Sequence, residues 1–168
     1  MTAGVTERRE PSPVPAVLRQ VFGAFPSGVT VLAAQLAEHR VGMAASSFTS
    51  VSLEPPLVSV CASAQSRTWQ LLRRARRIGV SVLADTHEQV SRQLAAKDGD
   101  RFAGLSWRSS DDGALYLEGA AAWLDCSVDR EIEAGDHSIV LLKVHQLAAE
   151  PAVDPLVFHA SKYRRLAP

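Results

Sequence analysis

Apolar residues at Val14, Val17, Leu18, Val21, Phe22 and Phe25 recur at helical spacing, and Pro15 suits a first turn, so the pattern predicts a helix over 14–25. Pro26-Ser27-Gly28 stops it. The apolar run 29–34 reads as a buried strand, and 41–44 returns after the polar turn Glu38-His39-Arg40, which predicts a hairpin. Residues 48–53 and 57–62 read as two further strands separated by Glu54-Pro55-Pro56. Ser66 is a suitable N-cap for a helix over 67–77, whose Leu71, Leu72 and Ala75 share one face. A β-branched strand follows at 78–83, and Thr86 caps a second helix reaching about Lys97. The segment 98–112 reads as loop. The last third is mostly strand, at 115–118, 121–132, 138–149 and 155–158, with the turn Glu133-Ala134-Gly135-Asp136 between the two long strands.

Neighbouring strands joined by short turns, with helices appended, predict an α+β domain that is mainly antiparallel β and closes as a barrel. Strands do not alternate regularly with crossover helices, and no G-x-G-x-x-G occurs, which argues against a dinucleotide-binding doubly wound sheet. One domain over 14–168 fits the length of 168 residues, preceded by a flexible, Pro-rich arm over 1–13 that could strap a neighbouring subunit. That arm has no apolar h-region and no run approaches the length of a membrane span, so a cytoplasmic protein is expected.

Composition changes this picture little. The chain is 46% hydrophobic and 21% charged, with 18 basic and 18 acidic residues. A zero balance gives no reason to expect nucleic acid or an anionic membrane as partner. Arg73, Arg74, Arg76 and Arg77 read as a solvated helix face whose charge suits the helix C-terminus. Cys61 and Cys126 lie far apart in apolar segments without a C-x-x-C, so two buried free thiols are expected. The five histidines form no metal-ligand pattern.

Candidate chemistry concentrates in a few segments. Five hydroxyls, Ser46, Ser47, Thr49, Ser50 and Ser52, sit inside predicted strand. Buried hydroxyls need partners, since an unpaired one costs about 1–3 kcal/mol, and the spacing alone admits either local backbone bonding or a ligand. Ser66-Arg67-Thr68 opens a helix with free N–H groups, two hydroxyls and a guanidinium fork, a set suited to a phosphate or to ordinary capping. His137 follows a turn and opens a strand, where it could face a pocket mouth. There is no G-x-S-x-G and no recognisable Ser-His-Asp set.

P-S-G-V-T at 26–30, A-S-S-F-T-S-V-S-L-E-P-P at 45–56, the Ser66-Arg67-Thr68 triplet, D-R-F at 100–102 and G-D-H-S at 135–138 closely resemble the flavin reductase family. These are small NAD(P)H:flavin oxidoreductases that feed reduced flavin to two-component monooxygenases. The resemblance spans 17–166. It implies an FMN-binding split barrel, usually a homodimer with flavin at or near the subunit interface. It implies FMN, with FAD as the alternative, NADH or NADPH as hydride donor and a separate monooxygenase as partner.

Residue by residue, the resemblance carries the isoalloxazine and ribityl contacts onto Met43, Ala44, Ala45, Ser46, Ser47 and Ser52, and the turn after the next strand onto Cys61, Ala62 and Ser63. Ser66, Arg67 and Thr68 become phosphate contacts. Ser27, Arg101, Phe102 and Tyr163 join the flavin site, and His137 becomes the catalytic residue beside the nicotinamide. Hydride transfer needs little side-chain acid–base chemistry, in keeping with a site of hydroxyls and backbone. Because fold does not fix function, the same barrel could also bind flavin or haem without turnover, or oxidise its own small organic substrate.

Overall fold

The computed structural model describes residues 13–166, so the expected arm lies, apart from Pro13, outside the described residues. The chain begins with α1 (Pro15–Phe22), β1 (Ser27–Gly28) and the hairpin β2 (Thr30–Leu36) and β3 (His39–Ala45). A second hairpin, β4 (Thr49–Leu53) and β5 (Pro56–Ser63), leads into α2 (Arg67–Leu72) and β6 (Ile78–Val82). Then come α3 (Glu88–Ala95), β7 (Trp107–Ser109), β8 (Leu115–Leu117) and the long pair β9 (Ala122–Ala134) and β10 (His137–Ala149). The chain closes with β11 (Val157–His159) and β12 (Lys162–Arg164).

Seven strands form one antiparallel sheet in the order β3-β2-β6-β9-β10-β5-β4, flanked by the small sheets β1-β11-β12 and β7-β8. Its two edge strands, β3 and β4, are consecutive in the chain and joined only by Ser46-Ser47-Phe48. So short a link forces the sheet to curl until its edges meet, giving a barrel split between them. Leu32, Val58, Val60, Ile78, Val80, Val140 and Leu142 fill the interior with Trp69 and Leu72 of α2. A second core, around Val31, Ala33, Leu83, Leu94, Leu115 and Leu156, lies on the other face of β2. Because β2 is buried on both faces, its sequence is a continuous apolar run without alternation.

Several expectations change. α1 is shorter than its pattern and buries none of its apolar stripe, with Phe22 and the following Phe25 exposed. His39 and Arg40 open β3 and are not in the turn; Ala37, at φ 47°, and Glu38 make it. α2 stops at Leu72, five residues early, and the arginines beyond it pair with carboxylates of β9 and of the β7–β8 turn. Arg73 pairs with Glu131 at 3.1 Å, Arg76 with Asp112 at 3.4 Å, and Arg77 with buried Asp125 at 3.3 Å. Tyr116 Oη also donates to Asp125 at 2.8 Å. The basic run is thus largely an ion-paired rim, with no continuous solvated helix face.

Thr86 does not cap the following helix. A 3-10 turn at Asp85–His87 precedes α3, and the Ala84 N–H donates to His87 Nδ1 at 3.2 Å. Burial holds the His87 imidazole below its ordinary range, against the opposing pull of Asp85, which suits a neutral ring that must accept this bond. The expected loop 98–112 contains β7, paired to β8, and β12 near the C-terminus was not visible as a strand. Of the two thiols, Cys126 is buried but Cys61 is exposed. Strand alternation explains this: Val58, Val60 and Ala62 of β5 point into the barrel, so Cys61 points out.

Candidate active site

β3 pairs only with β2, so among the described residues its other edge has no strand partner. β5 pairs with β4 from Pro56 to Ser59 and then outruns it. There the Ser47 hydroxyl replaces a strand partner: it accepts from Cys61 N–H at 2.8 Å and donates to Cys61 C=O at 3.3 Å. Ser46 and Ser47 therefore floor a seam between the free edge of β3, with Met43, Ala44 and Ala45, and the Cys61-Ala62-Ser63 end of β5. A seam edged by backbone polar groups offers hydrogen bonds to the rim of a flat heterocycle.

At one end of the seam stands the Ser63–Thr68 turn. Trp69 and Leu72 are buried in the barrel core and Trp69 Nε1 donates to Glu131 at 3.4 Å, which fixes α2 in place. Ser66 is the N-cap, its Oγ accepting from Trp69 N–H at 3.1 Å. Ser63 Oγ accepts from Gln65 N–H at 3.3 Å. Arg67 is exposed at the first helical position. Thr68 Oγ1 accepts from Arg101 Nη1 at 2.8 Å, which leaves the hydroxyl proton of Thr68 to donate outward.

Arg101 is a strut between elements. Besides Thr68 it reaches the Gly42 carbonyl at 3.2 Å, tying its loop to both β3 and α2. Phe102 closes over Gly42 so tightly that a Cβ there would lie 2.9 Å from its ring, and it stacks against Trp107 at 5.0 Å. A cavity of about 270 Å³ remains between them, lined by Arg40, Gly42, Thr68, Leu71, Asp100 and Arg101 among others.

His137 reaches the same turn from the far end of the sequence. Gly135, at φ 67°, and Asp136 make the tight turn between β9 and β10, and the register sets His137 opposite Ser63. The Ala64 N–H donates to the Asp136 carbonyl at 3.0 Å, locking hairpin tip to turn. His137 Nδ1 and Asp136 Oδ1 lie 2.9 Å apart, and this bond holds the Asp136 carboxyl below its usual range.

Two expected contacts lie behind the seam, toward α3. Ser27 pairs with Phe158, which pairs with Tyr163, in the three-stranded sheet. Tyr163 lines a cavity of about 150 Å³ with Ala44, Ala45, Ser46, Ser91 and Phe158. Sequence reasoning missed what holds it: Ser91 Oγ lies 2.8 Å from Tyr163 Oη, and the Arg92 guanidinium sits 4.8 Å above its ring. The one available signal was a serine among the polar residues of α3, which gave no hint of burial. Ser52 is not brought to the seam. It pairs with Leu57 at the opposite end of β5 from Ser63, roughly 20 Å away at about 3.3 Å per residue.

The thiols report on this seam. Burial pushes the Cys126 thiol up to about 12, with Asp125 adding and Arg77 opposing. A disulfide reagent at neutral pH is expected to label one thiol per folded chain, Cys61, and Cys126 only on unfolding. Saturating flavin is expected to slow the Cys61 reaction; labelling of Cys61 that is indifferent to flavin would move the ligand off the seam.

The chain belongs to the flavin reductase family. Residues 22–167 match the flavin reductase like domain. The chain is 38% identical over 156 residues to the flavin-dependent monooxygenase reductase subunit HsaB of Mycobacterium tuberculosis, covering 92% of this chain and 83% of that one. It is 41% identical over 150 residues to a flavin reductase of Pseudomonas putida, covering 89% and 88%. Among solved structures it resembles the NADH:FAD oxidoreductase SgcE6 of Streptomyces globisporus, in complex with NAD and FAD fragments, with TM-score 0.86 and 40% identity over 91% of this chain and 93% of that one.

Proposed function

We propose that this protein is an NAD(P)H:flavin oxidoreductase that reduces FMN or FAD and supplies the reduced flavin to a separate monooxygenase. The observation that carries this reading is the seam itself. Flavin has a hydrogen-bonding pyrimidine rim, a flat ring and a phosphate tail, and the free β3 edge, the Ser46-Ser47 floor and the Ser66-Arg67-Thr68 turn offer a partner to each in order. A bound flavin would supply the two-electron acceptor, its N5 taking the hydride that a dihydronicotinamide gives up as it is oxidised. In this reading the seam would hold the flavin, and His137, opposite Ser63 in the strand register, would align the nicotinamide. The Streptomyces globisporus relative is named as an NADH:FAD oxidoreductase, which supports NADH as the donor and the cytoplasm, where that donor is held, as the place of work. No described helix is long and apolar enough to cross a membrane.

The working form is a C2 homodimer. Leu53 at the tip of the β4–β5 hairpin is 95% exposed and Phe25 after α1 is 79% exposed, apolar area that a second copy would cover. In a dimer Ser52, remote from its own seam, can serve the partner's. Sedimentation is expected to give a dimer at micromolar concentration; a stable monomer with full flavin affinity would contradict it. For the reaction, NADH oxidation is expected to rise with added free FMN or FAD. Bound flavin with no NADH turnover would instead indicate a binding protein, and NADH-independent spectral change with a small organic compound an oxidase.

A further inference from the structure

We propose that Asp136 is a positioning residue for flavin reduction, acting through His137, and this rests on the placement of His137 in the site. The carboxylate stands on a fixed base, because its own carbonyl accepts from Ala64 N–H at 3.0 Å and Gly135 holds the turn at φ 67°. From there Oδ1 meets His137 Nδ1 at 2.9 Å. An ionised carboxylate can only accept, so Nδ1 must carry the proton. Nε2 is then the one nitrogen left for a ligand: a bare acceptor in the neutral ring, a donor in the imidazolium. The direct partners of His137 in the flanking strands, Ala134 of β9 and Ser63 of β5, are uncharged, and the hydrogen bond its ring makes among the described residues is the one to Asp136, which therefore sets the tautomer. Without it the ring can turn over or carry its proton on Nε2, and the group offered to the nicotinamide changes.

The test combines kinetics with a measurement that needs no turnover. Asp136 is 95% exposed, so Asp136→Ala and Asp136→Asn leave the fold intact. In the flavin-free protein, ¹⁵N spectra are expected to show the Nδ1-protonated tautomer of His137 in the wild type and its loss in Asp136→Ala. In stopped-flow experiments with flavin-loaded protein, Asp136→Ala is expected to lower the limiting reduction rate about tenfold, with flavin affinity unchanged. In a His137→Ala background the same change is expected to cost nothing further. An unchanged tautomer in Asp136→Ala, or a rate loss that persists without His137, would overturn the proposal. A slow His137→Ala beside a wild-type Asp136→Ala would remove Asp136 alone. A wild-type His137→Ala would remove both residues from the reaction.

Discussion

Arg67→Ala is expected to weaken FMN binding by about 1.5–3 kcal/mol, roughly 10- to 150-fold in Kd, and to leave riboflavin binding almost unchanged. Riboflavin shares the ring and ribityl chain of FMN but has no phosphate, so the difference isolates the dianion. Arg67 stands exposed beside Ser66 and Thr68, and Trp69 and Leu72, buried in the barrel, hold the backbone beneath it. Ser66 Oγ and Thr68 Oγ1 each accept one bond, from Trp69 N–H and Arg101 Nη1, and each keeps a hydroxyl proton to donate; of the three residues only Arg67 adds a full charge, so the response to the dianion falls mainly to it. An exposed guanidinium is screened by salt, so the loss should shrink as ionic strength rises. Isothermal titration of both flavins at two salt concentrations is the measurement. Equal losses for FMN and riboflavin would place Arg67 away from the phosphate.

His137→Ala is expected to slow flavin reduction by about 10–100-fold and to raise the apparent KM for the nicotinamide nucleotide, with flavin affinity little changed. The reasoning follows the register. His137 lies across from Ser63, at the junction of seam and turn, while the proposed flavin contacts come from β3, Ser47 and α2. Removing the imidazole therefore leaves the flavin site standing and takes away a group that aligns the hydride donor. Such a group can also balance negative charge as the flavin is reduced. Stopped-flow reduction of the flavin-loaded variant separates the steps. A wild-type rate with a wild-type nucleotide KM would leave His137 as a residue that merely opens β10.

Much of the local structure was legible from pattern. The apolar run of β2, the β-branched β6 and the two long strands around Gly135-Asp136 are visible because strand burial is written at period two, or as a continuous run where both faces are covered. Cys61 was misread: its apolar neighbours suggested burial, and the structure turns it outward because Val58, Val60 and Ala62 take the inward positions of β5. The arginines after Leu72 misled because helix propensity is local, while the carboxylates they pair with, Glu131, Asp112 and Asp125, come from distant segments.

By itself the sequence determined the strands of the main sheet, the Ser-Arg-Thr helix start, the hairpin that exposes His137, and the motif set that marks the family, because each depends on neighbours a few residues apart. Only the tertiary structure decided which edges stay unpaired and which distant groups meet. The seam exists because β3 and β4, joined by three residues, end up as opposite edges of one curled sheet. Arg101 became a strut to Thr68 and Gly42, Tyr163 gained Ser91, and Ser52 was carried away from Ser63. Those outcomes follow from strand order and register, which are set by the closure of the whole barrel and are not encoded in any short stretch of chain.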